Sequence, residues 1–358
     1  MLRKIGMWFL YLFFYASAIG NASILGKYYL AFIYGAIGIA MIILFLDPSC
    51  LDFYREYFVW QICFITLQAL SVLYTINVSD GFSIFSSMVK ILSKITAIAI
   101  ICKNFEGIKQ LLKGFALLGG ACFLKLLFTG HLFEEWRLGT DLLGNSNSFA
   151  MIVTVFVVGA IYWSFNYHQK LGRLFYILMA CVDMLMILLS GGRKFIIFSI
   201  TLVFFMFIYS NNGVKVRRVI VAVFCIIVLL IVGFNLIMKV EVLYRTIGIR
   251  LTGIGTSEGA MGVKEQQDIM KRGIEMFIQK PFLGWGVGGF QQYYFYNYGT
   301  YFYAHSNYVE LLADFGIVGF IVYYFQYLYC LAVMLKNRRI GYEEQKLYIP
   351  LLISIFAI

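Results

Sequence analysis

Long apolar stretches make up most of this chain, and polar residues are confined to short gaps between them. The stretches fall at roughly 2–20, 24–46, 56–76, 83–102, 108–128, 147–165, 173–190, 194–210, 216–238 and 306–335. Each is close to the ~20 residues that a helix needs to cross a hydrocarbon core of about 30 Å. A last apolar run at 347–358 reaches only about 18 Å as a helix, so it reads as the start of an eleventh span within which the sequence stops. The pattern predicts an all-α fold, a polytopic integral membrane bundle of about 11 spans. Only 239–304 interrupts it at length. Three segments follow: helices one to nine in 1–238, a large loop at 239–304, and 305–358 with the tenth helix and the start of the next. Ala16-Ser17-Ala18 has the look of a signal-peptidase site, but with so many spans behind it an uncleaved first helix is expected.

Composition agrees with the pattern. Of 358 residues, 61% are hydrophobic and 13% charged, and the mean hydropathy is +0.83. A soluble fold would have to bury many wholly apolar helices in one core, which excludes that class. The net charge of +11 would suit nucleic acid, but the basic residues sit mainly in short loops, where the positive-inside rule accounts for them. With the N-terminus in the cytoplasm, the inside loops carry Lys103, Lys109, Lys113, Lys170, Arg173, Lys215, Arg217, Arg218, Lys336, Arg338, Arg339 and Lys346. The alternate loops carry Asp80, Glu134, Glu135 and Asp141. The chain is therefore expected in the cytoplasmic membrane, with the 239–304 loop extracytoplasmic. Seven cysteines without a CxxC pair indicate neither a disulfide framework nor a metal site.

Candidate chemistry gathers in that loop and just after it. Ile269, Met270, Ile274, Phe277 and Ile278 recur at helical spacing against Lys264, Glu265, Asp268, Lys271, Arg272 and Glu275. This predicts an amphipathic helix on the external membrane surface, stopped by Pro281. Gly284, Gly286, Gly288 and Gly289 follow and predict a backbone that approaches a ligand closely. With no strand–helix unit around them, they are not a nucleotide fingerprint. The stretch 290–303 then holds nine aromatics. An interfacial aromatic belt explains part of it; a platform for stacking sugar rings explains the rest. Next comes His305, with Ser306 and Asn307 each able to cap the apolar helix that follows. An Asn307 cap with Glu310 would make a capping box. The positive helix end disfavours an imidazolium, so His305 is expected to stay neutral and basic.

One external connection breaks the charge rule. Ser190-Gly191-Gly192-Arg193-Lys194 joins two spans, and Arg193 at a glycine-broken junction suits bidentate binding of a phosphate or diphosphate. The alternative is a snorkelling arginine. Lys90 and Lys94 share a helix face within a span, and Asp183, also within a span, is a natural partner for one of them. Asn145 and Asn147 open the sixth span, where capping competes with a polar contact to an acceptor. His131 and His168 have no companions at ligand spacing. No metal or organic cofactor is expected.

The segments LGNSNSFAM, LSGGRKF, PFLGWGVGGF and AHSNYVELLADFGIVGF resemble the motifs of the O-antigen polymerase and O-antigen ligase superfamily. The resemblance covers most of the chain from about Leu143 onward. It implies a metal-independent, inverting glycosyltransferase of the cell envelope. Its donor would be a glycan on a polyprenyl diphosphate such as undecaprenyl diphosphate. His305 and Arg193 match the family's functional histidine and arginine. A second family arginine falls on Gln266 here, so Lys264 or Arg272, or else Arg245 or Arg250, is expected to supply that cation. The implied diphosphate-binding set is Arg193, Lys194, Arg272 and Lys264, and the glycan-binding set is Asn147, Trp285, Tyr293, Tyr303 and Asn307. The function it implies first is polymerisation of lipid-linked oligosaccharide repeat units into capsule or O-antigen, in partnership with membrane lipid and a chain-length regulator or flippase. Transfer of a finished glycan to a lipid, protein or wall acceptor is the second reading. Non-catalytic transport of lipid-linked glycan is the third; it would want repeat symmetry, and none is visible.

Overall fold

The computed structural model describes residues 1–134, 137–209, 257–304, 306–336 and 342–356, together with scattered positions between 217 and 248. Among the described residues the fold is 87% helical and has no strand. The principal helices are α1 (Leu2–Ile19), α2 (Tyr29–Leu46), α3 (Arg55–Val72), α4 (Val78–Cys102), α5 (Phe105–Phe128) and α6 (Ser146–Asn166). They continue with α7 (Lys170–Ser190), α8 (Arg193–Tyr209), α9 (Ser257–Gln279), α10 (Gly289–Tyr298), α11 (Asn307–Lys336) and α12 (Tyr342–Phe356). Seven of the described helices are long and apolar enough to cross a membrane: α1, α2, α4, α5, α6, α7 and α11. The all-α polytopic membrane fold expected from the sequence is thus present. Most of the predicted ninth span at 216–238 lies outside the described residues, as do Arg245 and Arg250.

Two compact units divide the chain. The first comprises Met1–Asp47, Ile100–Thr252 and Val333–Ile358. Its centre is α6, which packs on α5, α7 and α8 and buries Phe149, Val153, Phe156, Val157 and Ala160 completely. In lipid, apolar burial alone does not drive helices together, so close packing over small residues has to. Gly159 of α6 does this work: a Cβ there would stand 2.3 Å from the Leu112 carbonyl oxygen of α5. Helix starts follow local chemistry. Asn104 accepts from the Gly107 N–H at 3.1 Å to cap α5, and Asn145 accepts from the Asn147 N–H at 2.8 Å to cap α6. Asp47 binds Arg3 at 3.2 Å and Lys103 at 3.0 Å, tying three helix ends together. Asp183 of α7 is fully buried, but among the described residues neither carboxylate oxygen has a hydrogen-bond partner. Among the described residues neither Lys90 nor Lys94 pairs with it; it packs instead against Gly119.

Pro48–Ala99 and Gly253–Ala332 form the second unit. Here α9 is amphipathic as predicted, but its buried face lies against the protein itself. Ile269 and Met276 join Phe290, Ala304 and Ala313 in one apolar cluster, whereas Ile274 and Ile278 stay exposed. The predicted span at 306–335 is not one straight helix. Gly316 breaks α11 with φ 61° and ψ −162°, a conformation essentially reserved for glycine. The continuous piece, 317–336, is about 30 Å long, still enough to cross. The preceding 307–315 is a separate short helix folded back on it. Tyr308 stacks on Tyr324 with centroids 5.1 Å apart, and Asn307 Nδ2 donates to the Tyr324 hydroxyl at 3.0 Å.

Candidate functional site

In the second unit, the motifs PFLGWGVGGF and DFGIVG prove to be one structural device. The N–H groups of Trp285 and Gly286 donate to the carbonyls of Ala313 (2.9 Å) and Asp314 (2.8 Å). In return, Ile317 and Val318 donate to Pro281 (2.8 Å) and Phe282 (3.2 Å). The Gly316 break frees those α11 groups, and the glycine-rich segment satisfies them. The buried Asp314 carboxylate completes the lock, accepting from the N–H groups of Gly288 at 3.1 Å and Phe290 at 2.7 Å. On the opposite side Ser71 Oγ accepts from the Val287 N–H at 3.1 Å, and Thr75 Oγ1 donates to the Val287 carbonyl at 3.0 Å. The close approach predicted for these glycines is therefore to their own chain rather than to a ligand. A Cβ on Gly284 would stand 2.4 Å from the Asp314 carbonyl carbon.

That lock carries α10 and the residues around position 305. His305 itself lies outside the described residues; its neighbours are firmly placed. Ala304 is fully buried and donates its N–H to Glu310 at 3.2 Å. Gln291 Nε2 of α10 donates to the other Glu310 oxygen at 2.9 Å. On the far side, Ser306 caps the helix, accepting from the Val309 N–H at 3.5 Å. The capping box expected from Asn307 and Glu310 thus does not form. The helix begins at Asn307, Ser306 takes the cap, and Glu310 is drawn to Ala304 and Gln291 instead.

The aromatic stretch divides by burial. Phe290 is at the core of the cluster that also takes in Tyr293, Tyr294 and Phe302, an outcome neither a belt nor a platform anticipates. Phe295, Tyr296, Tyr298, Tyr301 and Tyr303 are exposed. Tyr301 stacks on Phe295 at 4.3 Å and its hydroxyl donates to Asp80 at 3.3 Å. Desolvation, and then the Asp80 carboxylate, raise its pKa above the ordinary phenol value. Trp285, expected to bind glycan, donates its indole N–H to the Met276 carbonyl at 2.9 Å, and Lys280 Nζ sits 3.9 Å from its ring centre. The Arg272 guanidinium lies over the Tyr298 ring at 4.2 Å and the Tyr294 ring at 5.7 Å. Lys264 is exposed, about 12 Å along α9 from Arg272.

In the first unit, Arg193 and Lys194 open α8 directly after the left-handed Gly191 (φ 69°) that ends α7. Both side chains are exposed. The Arg193 guanidinium has no partner among the described residues, as a ligand-binding cation requires. Beside it is a residue that the sequence analysis overlooked. Arg137 Nε donates to the Ser190 carbonyl at 3.0 Å, and its Nη2 donates to Asn147 Oδ1 at 3.4 Å. The structure thereby groups Asn147, Ser190 and Arg193 around one turn. The signal was available, since Arg137 breaks the same charge rule as Arg193. Among the described residues no cluster of three metal-ligating side chains occurs.

No curated protein matches the chain. Residues 174–324 match the family model described as O-antigen ligase. That stretch includes Arg193, Lys194, Lys264, Arg272, Trp285, Tyr293, Tyr303, His305 and Asn307, and leaves out Arg137 and Asn147. The match supports a glycan polymerase- or ligase-type function, that of a glycosyltransferase-like enzyme. This match at residues 174–324 is consistent with the O-antigen polymerase and ligase superfamily that the motifs resemble.

Proposed function

We propose that this protein is a polymerase that joins polyprenyl-diphosphate-linked oligosaccharide repeat units into a cell-surface polysaccharide. The reaction takes place on the outer face of the cytoplasmic membrane. The growing chain on its lipid diphosphate is the donor, and a sugar hydroxyl of a second lipid-linked unit is the acceptor. His305 takes the hydroxyl proton as general base. The acceptor oxygen forms a bond to the anomeric carbon as the bond from that carbon to the diphosphate breaks. The configuration inverts, and polyprenyl diphosphate leaves with the bonding electrons. Arg193 stabilises the charge that develops on it. Lys194, Arg272 and Lys264 are the further candidate cations. Asn147, Tyr303 and Asn307 are the candidate sugar contacts with exposed side chains, and Trp285 and Tyr293 are partly buried candidates. No step is assigned to a metal.

The observation that carries this reading is the exposed Arg193 side chain, without a partner among the described residues, on a connection where the charge rule disfavours it. A membrane-edge arginine that snorkels for topology alone has no need of a glycine-broken turn built around it. Transfer of a finished glycan onto another acceptor remains the second reading, because it uses the same donor and the same motifs. Reconstitution separates them. Liposomes containing the protein and a single lipid-linked repeat unit should yield a ladder of lipid-linked oligomers, unchanged by a chelator. A product confined to one transfer onto an added lipid or peptide acceptor would overturn the polymerase reading in favour of the ligase one.

A further inference from the structure

The turn from which Arg193 emerges is not self-supporting. Ser190 closes α7, so its carbonyl is among the last four of that helix and has no intrahelical donor. Its hydroxyl is occupied locally, donating to the Ile187 carbonyl at 2.7 Å and accepting from the Gly192 N–H at 3.3 Å. The carbonyl is claimed by Arg137, which reaches it from the connection between α5 and α6. A cation at a helix C-terminus is also favoured by the helix dipole. Arg137 is itself held in place. The N–H of the next residue, Leu138, donates to the Leu189 carbonyl at 3.1 Å, one position before Ser190. The Arg137 carbonyl accepts from the Thr140 hydroxyl at 2.9 Å. The guanidinium then divides its donors between the turn and the Asn147 side chain on α6. A planar fork is pre-organised to do this; an ammonium on a flexible stem loses more entropy in holding both directions at once.

We infer that Arg137 is a positioning residue for an anion site formed by Arg193 and Asn147, with the diphosphate of the lipid-linked donor as its ligand. It fixes the turn that launches Arg193 and the rotamer of Asn147 with one side chain, and it adds positive charge to the same edge. The assignment of the diphosphate rests on the proposed function; the coupling of Arg137 to Asn147 and to the Ser190 turn rests on the hydrogen bonds.

The test uses the full-length protein in lipid nanodiscs, titrated with undecaprenyl diphosphate as the probe, with thermal midpoints measured on the same samples. Arg193→Ala should abolish saturable binding. Arg137→Ala should weaken it by about tenfold, the equivalent of one charge-assisted hydrogen bond. Arg137→Lys should recover only part of that, because the charge returns without the fork. Adding millimolar guanidinium should restore binding to Arg137→Ala but leave Arg137→Lys unchanged. The Arg137→Ala/Asn147→Ala double variant should bind scarcely worse than Arg137→Ala, as expected for residues that act together. Unaltered affinity in Arg137→Ala would overturn the inference. So would a loss that guanidinium does not restore, since Arg137 would then support the fold only. Failure of the unmodified protein to bind undecaprenyl diphosphate would remove the donor assignment and this inference with it. Weak binding by Arg137→Ala with normal binding by wild type would be the positive result whether the enzyme is a polymerase or a ligase.

Discussion

Removing the Asp314 carboxylate would strand the N–H groups of Gly288 and Phe290 inside the second unit, where water cannot replace it. A buried donor left unpaired costs about 1–3 kcal/mol. Asp314→Ala should therefore lower the thermal midpoint and the amount of protein in the membrane. Asp314→Asn, with one acceptor oxygen left, should fall between. An unchanged midpoint for the alanine variant would contradict the lock. Arg193 makes the opposite case, since no described residue bonds to its side chain. Arg193→Lys keeps the charge and loses the fork, so it should cut product while leaving protein level intact; Arg193→Ala should cut it further. Full product from both would reduce Arg193 to a topological marker. At this scale the sequence identified residues by chemical type and misjudged what holds them. Arg193 stood out because it breaks a charge rule, and Arg137 breaks the same rule in a loop otherwise acidic. The Trp285 indole reads as a sugar contact until its N–H is seen to be spent on Met276. Single-residue patterns do not reveal which hydrogen bonds are already taken.

At the scale of the elements, hydropathy located most of the membrane-crossing helices, because a 20-residue apolar run has few other uses. It was blind to the break in α11. A window that averages over side chains carries no information about φ at Gly316, where the chain turns so that PFLGWGVGGF can pair with it. Alanine at 316 would have to adopt a conformation costing about 1–3 kcal/mol. Its Cβ would also lie 2.4 Å from the Phe282 carbonyl. Gly316→Ala should destabilise the protein at least as much as Asp314→Asn, read as a loss of midpoint in detergent. A wild-type midpoint would mean that the short helix 307–315 and the spanning piece 317–336 can join in another way. The periodicity of α9 predicts its amphipathic character, but amphipathicity says only that a face is covered, not by what. Here part of the cover is α10 and α11.

For the whole molecule, composition and the spacing of apolar runs settle the class, and the charge asymmetry predicts the orientation. A reporter active only outside the cytoplasm should give signal when fused after Glu258 and none when fused after Asn212; the reverse would put His305 on the wrong side of the membrane. The proposed transfer depends most directly on His305. A general base contributes about 10²–10⁴-fold in rate, and Ser306 caps the following helix. In cells expressing His305→Gln at wild-type membrane level, the lipid-linked glycan pool should therefore consist of single repeat units, with polymer reduced to a trace. Polymer of normal length and yield from that variant would contradict the catalytic role of His305.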